Sequence, residues 1–374
     1  MGAALSENDA IMAGGAGPAD APHSRMTAAP ARIRLDAAAL VDNWRAMARL
    51  SGTAACGAAV KADGYGLGAR EVAARLGKAG CRDFFVATWA EAATLGAVEE
   101  GGSVSVFHGA READMTTARA LPGVRPVLST AAQVARWRGT GRRCDVMVDT
   151  GMNRLGVSVQ EVCGGLLDGL AIETLMSHLA CADEPEHPAN ARQAAALEGL
   201  RGRTTARRLS LANSAGVALG ARWRFDLTRP GLALYGGVPV AALADVIRPV
   251  VTLEAEVLQR RLVTGGESVG YDATWIAPAD TQVAVINIGY ADGYRRAFSG
   301  IGTARAGGAT LPVLGRVSMD LVALGVDAAP ALAEGDWVTL DFALPEAAAW
   351  SGVSQYELLT GLARRAERVW SRDL

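Results

Sequence analysis

Hydrophobic positions along the chain follow two different rhythms, and the change comes near Ile247. Before it, short apolar runs alternate with amphipathic segments. The runs are Cys56 to Val60, Phe84 to Ala87, Val104 to Phe107, Val124 to Leu128, Asp145 to Val148, Ile172 to Ser177, Arg208 to Leu211 and Phe225 to Leu227. Between them, pieces such as Ala69 to Gly80, Trp89 to Glu100, Thr130 to Gly139 and Asn190 to Arg203 carry apolar residues at helical spacing, often with a glycine stop. Repeated strand–helix units of this kind build a parallel sheet. Eight of them in about 200 residues fit a (β/α)8 barrel better than an open sheet. A further strand-like piece, Arg32 to Leu35, leads through Asp36, a helix cap, into a helix from Ala37 with Leu40, Trp44, Met47 and Leu50 on one face.

After Ile247 the runs Val250 to Leu262, Gln282 to Ile288, Leu311 to Val317, Leu321 to Val326 and Trp337 to Phe342 are separated by Gly, Asp and Pro without long helices. They predict an all-β domain closed by a short amphipathic helix around Gln355 to Arg368. The expected organisation is a disordered tail over residues 1–30, a (β/α)8 barrel over 31–247 and a mainly β domain over 248–374.

Composition narrows the function without naming it. The 374 residues are too many for one ordinary core, and 50% hydrophobic with 20% charged residues is the balance of a soluble globular protein. A formal net charge of −2 gives no electrostatic case for nucleic acid or an anionic membrane. No segment is apolar for long enough to span a bilayer, and the Ala-, Gly- and Pro-rich first thirty residues lack the pattern of a signal sequence. Five cysteines, odd in number and without a C-x-x-C pair, suit reduced thiols in a cytoplasmic protein and offer no metal site. No G-x-G-x-x-G opens the first unit, which weakens a dinucleotide reading.

The candidate chemistry lies at the ends of the barrel runs, because barrel sites form on the loops after the strands' carboxyl ends. In AAVKADGYGLG a buried run ends on Lys61 and passes into a turn with Gly64, Gly66 and Gly68. An amine held against apolar walls loses hydration, its pKa falls, and it can react with an aldehyde cofactor or act as a base. A lysine snorkelling out of a strand end fits the same pattern. Arg154 follows the fifth run, His178 ends the sixth, Asn213 and Ser214 follow the seventh and Arg229 follows the eighth. Singly, an arginine after a strand is an ordinary surface ion pair and a lone histidine an ordinary core residue. Together they suit an anionic, aromatic, aldehyde-bearing ligand, with the Asn213-Ser214-Ala215-Gly216 turn opening a helix toward a phosphate.

The motifs AVKADGYGLG, DVMVDTGMNRLGV, LMSHLACADE, LANSAG, RPGLALYGG, GESVGYDATW, INIGYADGYRR and GRVSMD resemble, in order and spacing, those of the bacterial alanine racemases, which use pyridoxal 5′-phosphate. The resemblance covers about Arg32 to Arg368. It implies a homodimer with sites shared between subunits, converting L-alanine to D-alanine and back for peptidoglycan. It implies that Lys61 bonds to the cofactor and serves as one catalytic base, with Tyr271 as the other. Tyr65, Ser214 and the backbone of Gly231 resemble phosphate contacts, Arg229 the arginine facing the pyridine nitrogen, and His178 its supporting partner. Arg154 resembles the arginine near the cofactor's phenolic oxygen and the substrate carboxylate, and Met319 with Tyr290 the substrate-binding entrance. A serine or broad-specificity racemase of the same family is the alternative. A single-domain cofactor-homeostasis protein is disfavoured by the second domain and Tyr271, and a decarboxylase of the same fold by the lack of any cysteine after Ile247.

Three positions depart from the family pattern. Leu67 stands where a histidine is common, with little chemical consequence expected. Met147 stands where many members carry a carbamylated lysine that orients the arginine matching Arg154, so a bound anion or another carboxylate is expected there. Arg364 stands where some members place a phosphate-binding tyrosine.

Overall fold

The computed structural model describes Ala29 and residues 31–371, so the expected disordered tail lies, Ala29 apart, outside the described residues. Strand β1 (Ala31–Leu35) leads into a helix over Ala37–Ser51. Asp36 caps that helix by accepting the Ala39 N–H at 2.8 Å, Gly52 ends it at φ 68°, and Leu40, Trp44 and Met47 are buried beneath it.

The barrel strands follow. They are β2 (Ala55–Cys56), β3 (Ala58–Ala59), β4 (Asp83–Val86), β5 (Ser103–Val106), β6 (Val124–Leu128), β7 (Cys144–Asp149), β8 (Val157–Ser158), β9 (Ile172–Met176), β10 (Arg208–Ser210) and β11 (Leu227–Thr228). All pair in parallel, with β8 a short side pairing on β7. β2 pairs with β11 and β3 with β4, so these two pieces are halves of one strand that closes the sheet. Gly57 joins the halves. A Cβ there would come within 2.7 Å of the Asp83 carbonyl oxygen, and glycine alone lets the strands approach this closely.

The N-terminal ends of the barrel strands are sealed by charge. Arg208 donates to both oxygens of Asp83 at 2.7 and 3.0 Å. Asp145, fully buried, accepts the Ser105 hydroxyl at 2.6 Å, the Thr174 N–H at 2.9 Å and Arg125 Nε at 3.2 Å. Buried carboxylates persist only when paired in this way. The opposite, carboxyl ends are left for chemistry.

The second part contains β12 (Val251–Val263), β13 (Ser268–Val269), β14 (Trp275–Ile276), β15 (Thr281–Ile286), β16 (Thr303–Ala306), β17 (Ala309–Leu314), β18 (Val322–Gly325), β19 (Trp337–Leu340) and β20 (Glu367–Trp370). β12 is long and shifts register between Val257 and Gln259, so it pairs β19 with its first half and β15 with its second. The antiparallel strands β12, β15, β18, β17, β16 and β19 thereby form a ring.

Two expectations are corrected here. Residues 31–35 do not open the barrel. β1 pairs antiparallel with β12, Ile33 opposite Leu253, and Arg32 Nε meets Glu254 at 2.6 Å. Local alternation cannot reveal a partner more than 200 residues away. The helix expected to run to Arg368 covers only Gln355–Thr360; Gly361 follows, and the chain returns as β20 alongside β1. Among the described residues no helix is long and apolar enough to cross a membrane.

Candidate active site

β3 delivers Lys61 to the mouth of the barrel, where the backbone then coils the unusual way. Ala62, Asp63, Gly64, Tyr65 and Gly66 have φ of 53°, 55°, 63°, 56° and 87°. Left-handed backbone costs residues with a Cβ about 1–2 kcal/mol each, so the turn has to be held by its surroundings. Glu91 accepts the Ala62 N–H at 2.8 Å, and Asp63 accepts the Ala69 N–H at 3.0 Å. Lys61 is open to solvent in the single chain, with Nζ 5.9 Å from the centre of the Phe107 ring. Although part of the side chain meets solvent, the protein packed around it takes enough water from the amine to pull its pKa down. Arg154 and Arg229 add to that effect and Glu91 opposes it.

Arg229 is buried. It donates to the Ser210 hydroxyl and, at 2.6 Å, to the Ser177 carbonyl. Burial pushes it down to about 10, opposed by the charge of Asp145, so it remains a cation at neutral pH. Two of its five donors are used in these bonds, which leaves others for an acceptor in the mouth. His178 was expected to support it. Among the described residues no hydrogen bond joins the two, because Ser210 and Ser177 take that role. Burial first, then the charges of Arg229, Arg154 and Lys61, push the His178 imidazole down to about 3, so it is neutral.

A small polar cup adjoins these cations. The Ser214 hydroxyl, buried, accepts the N–H groups of Gly231 and Ala233 at 3.0 and 3.2 Å. Tyr65 stacks on Tyr235 with ring centres 4.6 Å apart, and a Cβ at Gly231 would collide with the Tyr65 hydroxyl. Among the described residues that hydroxyl has no hydrogen-bond partner. Asn213 caps the following short helix by accepting the Gly216 N–H.

Arg154 lies on a loop pinned by Asp149, whose Oδ1 accepts the N–H groups of Gly151, Met152 and Asn153 at 2.8 to 3.1 Å. Met147 is buried in β7, and among the described residues no carboxylate pairs with the Arg154 guanidinium. The side chain of Arg364 is 88% exposed and 3.8 Å from Asp63, and among the described residues no hydrogen bond ties it to Tyr65, Ser214 or Gly231. A different tyrosine reaches the cup: Tyr356 tilts against Tyr65 with ring centres 6.4 Å apart and shares a cleft of ≈ 400 Å³ with His178, Asn213 and Met152.

Residues 35–239 match the family described as alanine racemase, N-terminal domain, and residues 250–370 that described as alanine racemase, C-terminal domain. The chain belongs to the alanine racemase family. It is similar to an alanine racemase of Acidiphilium cryptum, 42% identical over 351 residues, which is 90% of this chain and 98% of the relative. An alanine racemase of Methylobacterium nodulans is 42% identical over 357 residues, covering 90% and 95%. Among solved structures, alanine racemase from Bartonella henselae with covalently bound pyridoxal phosphate superposes with a TM-score of 0.85 at 33% identity, over 92% of this chain and all of that one.

In this alanine racemase family member the β-domain residues present their side chains to solvent. Tyr271 is 66% exposed, just after β13, while Met319 and Tyr290 are also exposed. Main-chain bonds from Tyr290 N to the Ser318 carbonyl and from Ala291 N to the Met319 carbonyl, both 3.0 Å, hold the last two loops together. Among the described residues no hydrogen bond, ion pair or ring contact joins Tyr271 to Lys61. Three residues escaped the sequence reading: Ser210, Glu91 and Tyr356. The Ser354-x-x-Glu357 capping box was the available signal for Tyr356, since it fixes a helix start and puts that tyrosine in its first turn.

Proposed function

We propose that the protein interconverts L-alanine and D-alanine with pyridoxal 5′-phosphate, as a homodimer in which the mouth of one barrel is completed by the partner's Tyr271, Tyr290 and Met319. The observation that carries this is that β3 leads to Lys61, whose amine feels the charges of Arg154 and Arg229, in the same chain as the Ser214, Gly231 and Tyr65 cup. Five free cysteines suit a reducing cytoplasm as its setting.

The residues fit the cofactor. Tyr65 offers a phosphate a hydroxyl without a partner among the described residues, Ser214, which accepts the Gly231 N–H, offers its own hydroxyl hydrogen beside it, and Tyr356 closes the same side. Arg229 can donate to a ring nitrogen but, as a cation with no acceptor, cannot take a proton from it or share one with it. The chemistry the cofactor supplies is electron withdrawal from the substrate's Cα, which makes its proton removable. Lys61 takes or returns that proton at Nζ on one face, and Tyr271 does so at its hydroxyl on the other, so the centre inverts. Arg154, with no carboxylate paired to it among the described residues, holds the substrate carboxylate by paired donors.

The test is optical rotation. Purified protein with pyridoxal phosphate should bring L-alanine and D-alanine to the same zero rotation, and Lys61→Ala should slow this by about a thousandfold, the scale of losing a positioned base. Rotation that never decays with the intact protein would refute the reading, as would a Lys61→Ala variant running at full rate.

A further inference from the structure

One charged side chain at the mouth has no task in the reaction just described. Glu91 spreads its carboxylate over two segments: Oε1 accepts the N–H of Ala62, while Oε2 accepts the N–H groups of Ala87 at 2.6 Å and Thr88 at 3.2 Å. Ala62 is the residue after Lys61, and Ala87 and Thr88 follow β4. We propose that Glu91 is a positioning residue whose carboxylate clasps the peptide after Lys61 to the end of β4, and so holds the left-handed turn from which the Lys61 side chain reaches into the site. The inference rests on reading Lys61 as the reacting amine.

The carboxylate is the group the geometry demands. Ala62 and Asp63 are the first two residues of the left-handed run and have a Cβ, so nothing intrinsic keeps them there. The Ala62 N–H, at the start of the turn, lacks a backbone acceptor, and Glu91 supplies one. Three N–H groups converge on two acceptor oxygens. Glutamine offers one oxygen and would turn an NH2 against an N–H, while aspartate keeps the charge but falls one methylene short of spanning both segments.

A simpler account is that Glu91 only completes the helix cap with Thr88, whose Oγ1 accepts the Glu91 N–H at 3.1 Å. Thr88→Ala separates the two, since it weakens the same helix start and leaves the carboxylate on Ala62. Charge gives a second handle. The charged or titratable groups acting on the Lys61 amine or its surroundings are Arg154, Arg229, His178 and Glu91, and Glu91 is the anion among them. Removing that anion favours the free amine, so the acid limb of kcat, which reports the substrate complex, should move to lower pH.

The experiment is hydrogen–deuterium exchange of the 58–68 segment in the intact enzyme, read beside the pH profile of kcat. Glu91→Gln should speed exchange at the Ala62 amide by about tenfold or more, lower kcat by about tenfold to a hundredfold, and shift the acid limb down. Glu91→Asp should speed the exchange and leave the limb where it is; should Glu91→Gln not fold, this variant carries the exchange test. Thr88→Ala should lower the melting temperature while exchange at Ala62 and kcat stay as in wild type. Unchanged Ala62 exchange without the glutamate sinks the proposal, and so does a Thr88→Ala variant that reproduces the Glu91 effects. The exchange result needs no turnover, so a fully active Lys61→Ala variant would overturn the functional reading and leave the clasp standing.

Discussion

The barrel mouth and the β-domain loops, the two halves of the proposed site, stand in opposite physical states. In the mouth, Arg229 is buried and anchored, Ser214 accepts two N–H groups, and the turn after Lys61 is tied by Glu91 and Asp63. In the loops, the side chains of Tyr271, Tyr290 and Met319 stand in solvent, and main-chain bonds tie the Tyr290 and Met319 loops to each other. Exposed aromatic and thioether side chains on a rigid frame are what an interface presents before it is covered. The difference is the one the proposed dimer predicts, in which a single chain pre-organises its cation-lined half and a second copy would supply the other.

The sharpest way to break that comparison is to disable each half in a different chain. Lys61→Ala and Tyr271→Phe homodimers should each fall about a thousandfold, because every site lacks a base. In a mixed dimer one site collects both defects and the other none. Random exchange makes about half the dimers mixed, so activity should return to roughly a quarter of wild type. Differentially tagged heterodimers that form and stay as inactive as their parents would show that Tyr271 does not act across the subunit boundary.

A smaller effect is expected from crowding the mouth alone. Gly231→Ala places a methyl against the Tyr65 hydroxyl, whose ring is fixed by its stack on Tyr235. The Gly231 backbone, φ −132° and ψ −83°, lies outside the basins that alanine prefers, so some stability should be lost as the cup narrows, and a melting curve is read beside the binding. Pyridoxal phosphate should bind about tenfold more weakly, the cost of spoiling one or two hydrogen bonds, as read by titrating the cofactor-free protein. Wild-type affinity in this variant would move the phosphate elsewhere.

The two regions were also unequally legible. Barrel strands and the residues at their ends could be read because each strand–helix unit is local, and polar residues that each close an apolar run, Lys61, His178 and Arg229 among them, gather at one end of the barrel. What escaped was set by partners distant in sequence. β1 looks like the start of a strand–helix unit, but its partner β12 lies more than 200 residues on. β20 was hidden in an expected helix that stops at Thr360. Tyr356 and Ser210 matter through what they face, Tyr65 and Arg229, which periodicity does not encode. The left-handed turn was half legible: its glycines were visible, whereas Ala62, Asp63 and Tyr65 in the same conformation were not.

The smallest expected effect separates the regions by pH. All four histidines precede Ile247, so the β domain has none to titrate. His178 is held neutral, its pKa pushed from 6.5 down to about 3 by burial first and then by the neighbouring cations. Above pH 6.5 neither the folded nor the unfolded chain protonates this ring, and it adds no pH dependence. As the pH falls below 6.5 the unfolded chain binds the proton and the folded chain does not, so folding weakens by at most about 1.4 kcal/mol per unit until about pH 3. Between pH 6.5 and 5 that amounts to about 2 kcal/mol, or a few degrees of melting temperature. His178→Gln removes the titrating ring, and its melting temperature should drop less over that interval than that of wild type. Exchange mapping should find the wild-type acid loss in barrel segments before the β domain. An identical acid slope in the two proteins would mean that His178 takes up its proton in the folded chain near the ordinary pH, and that the cations of the mouth do not act on it as their positions imply.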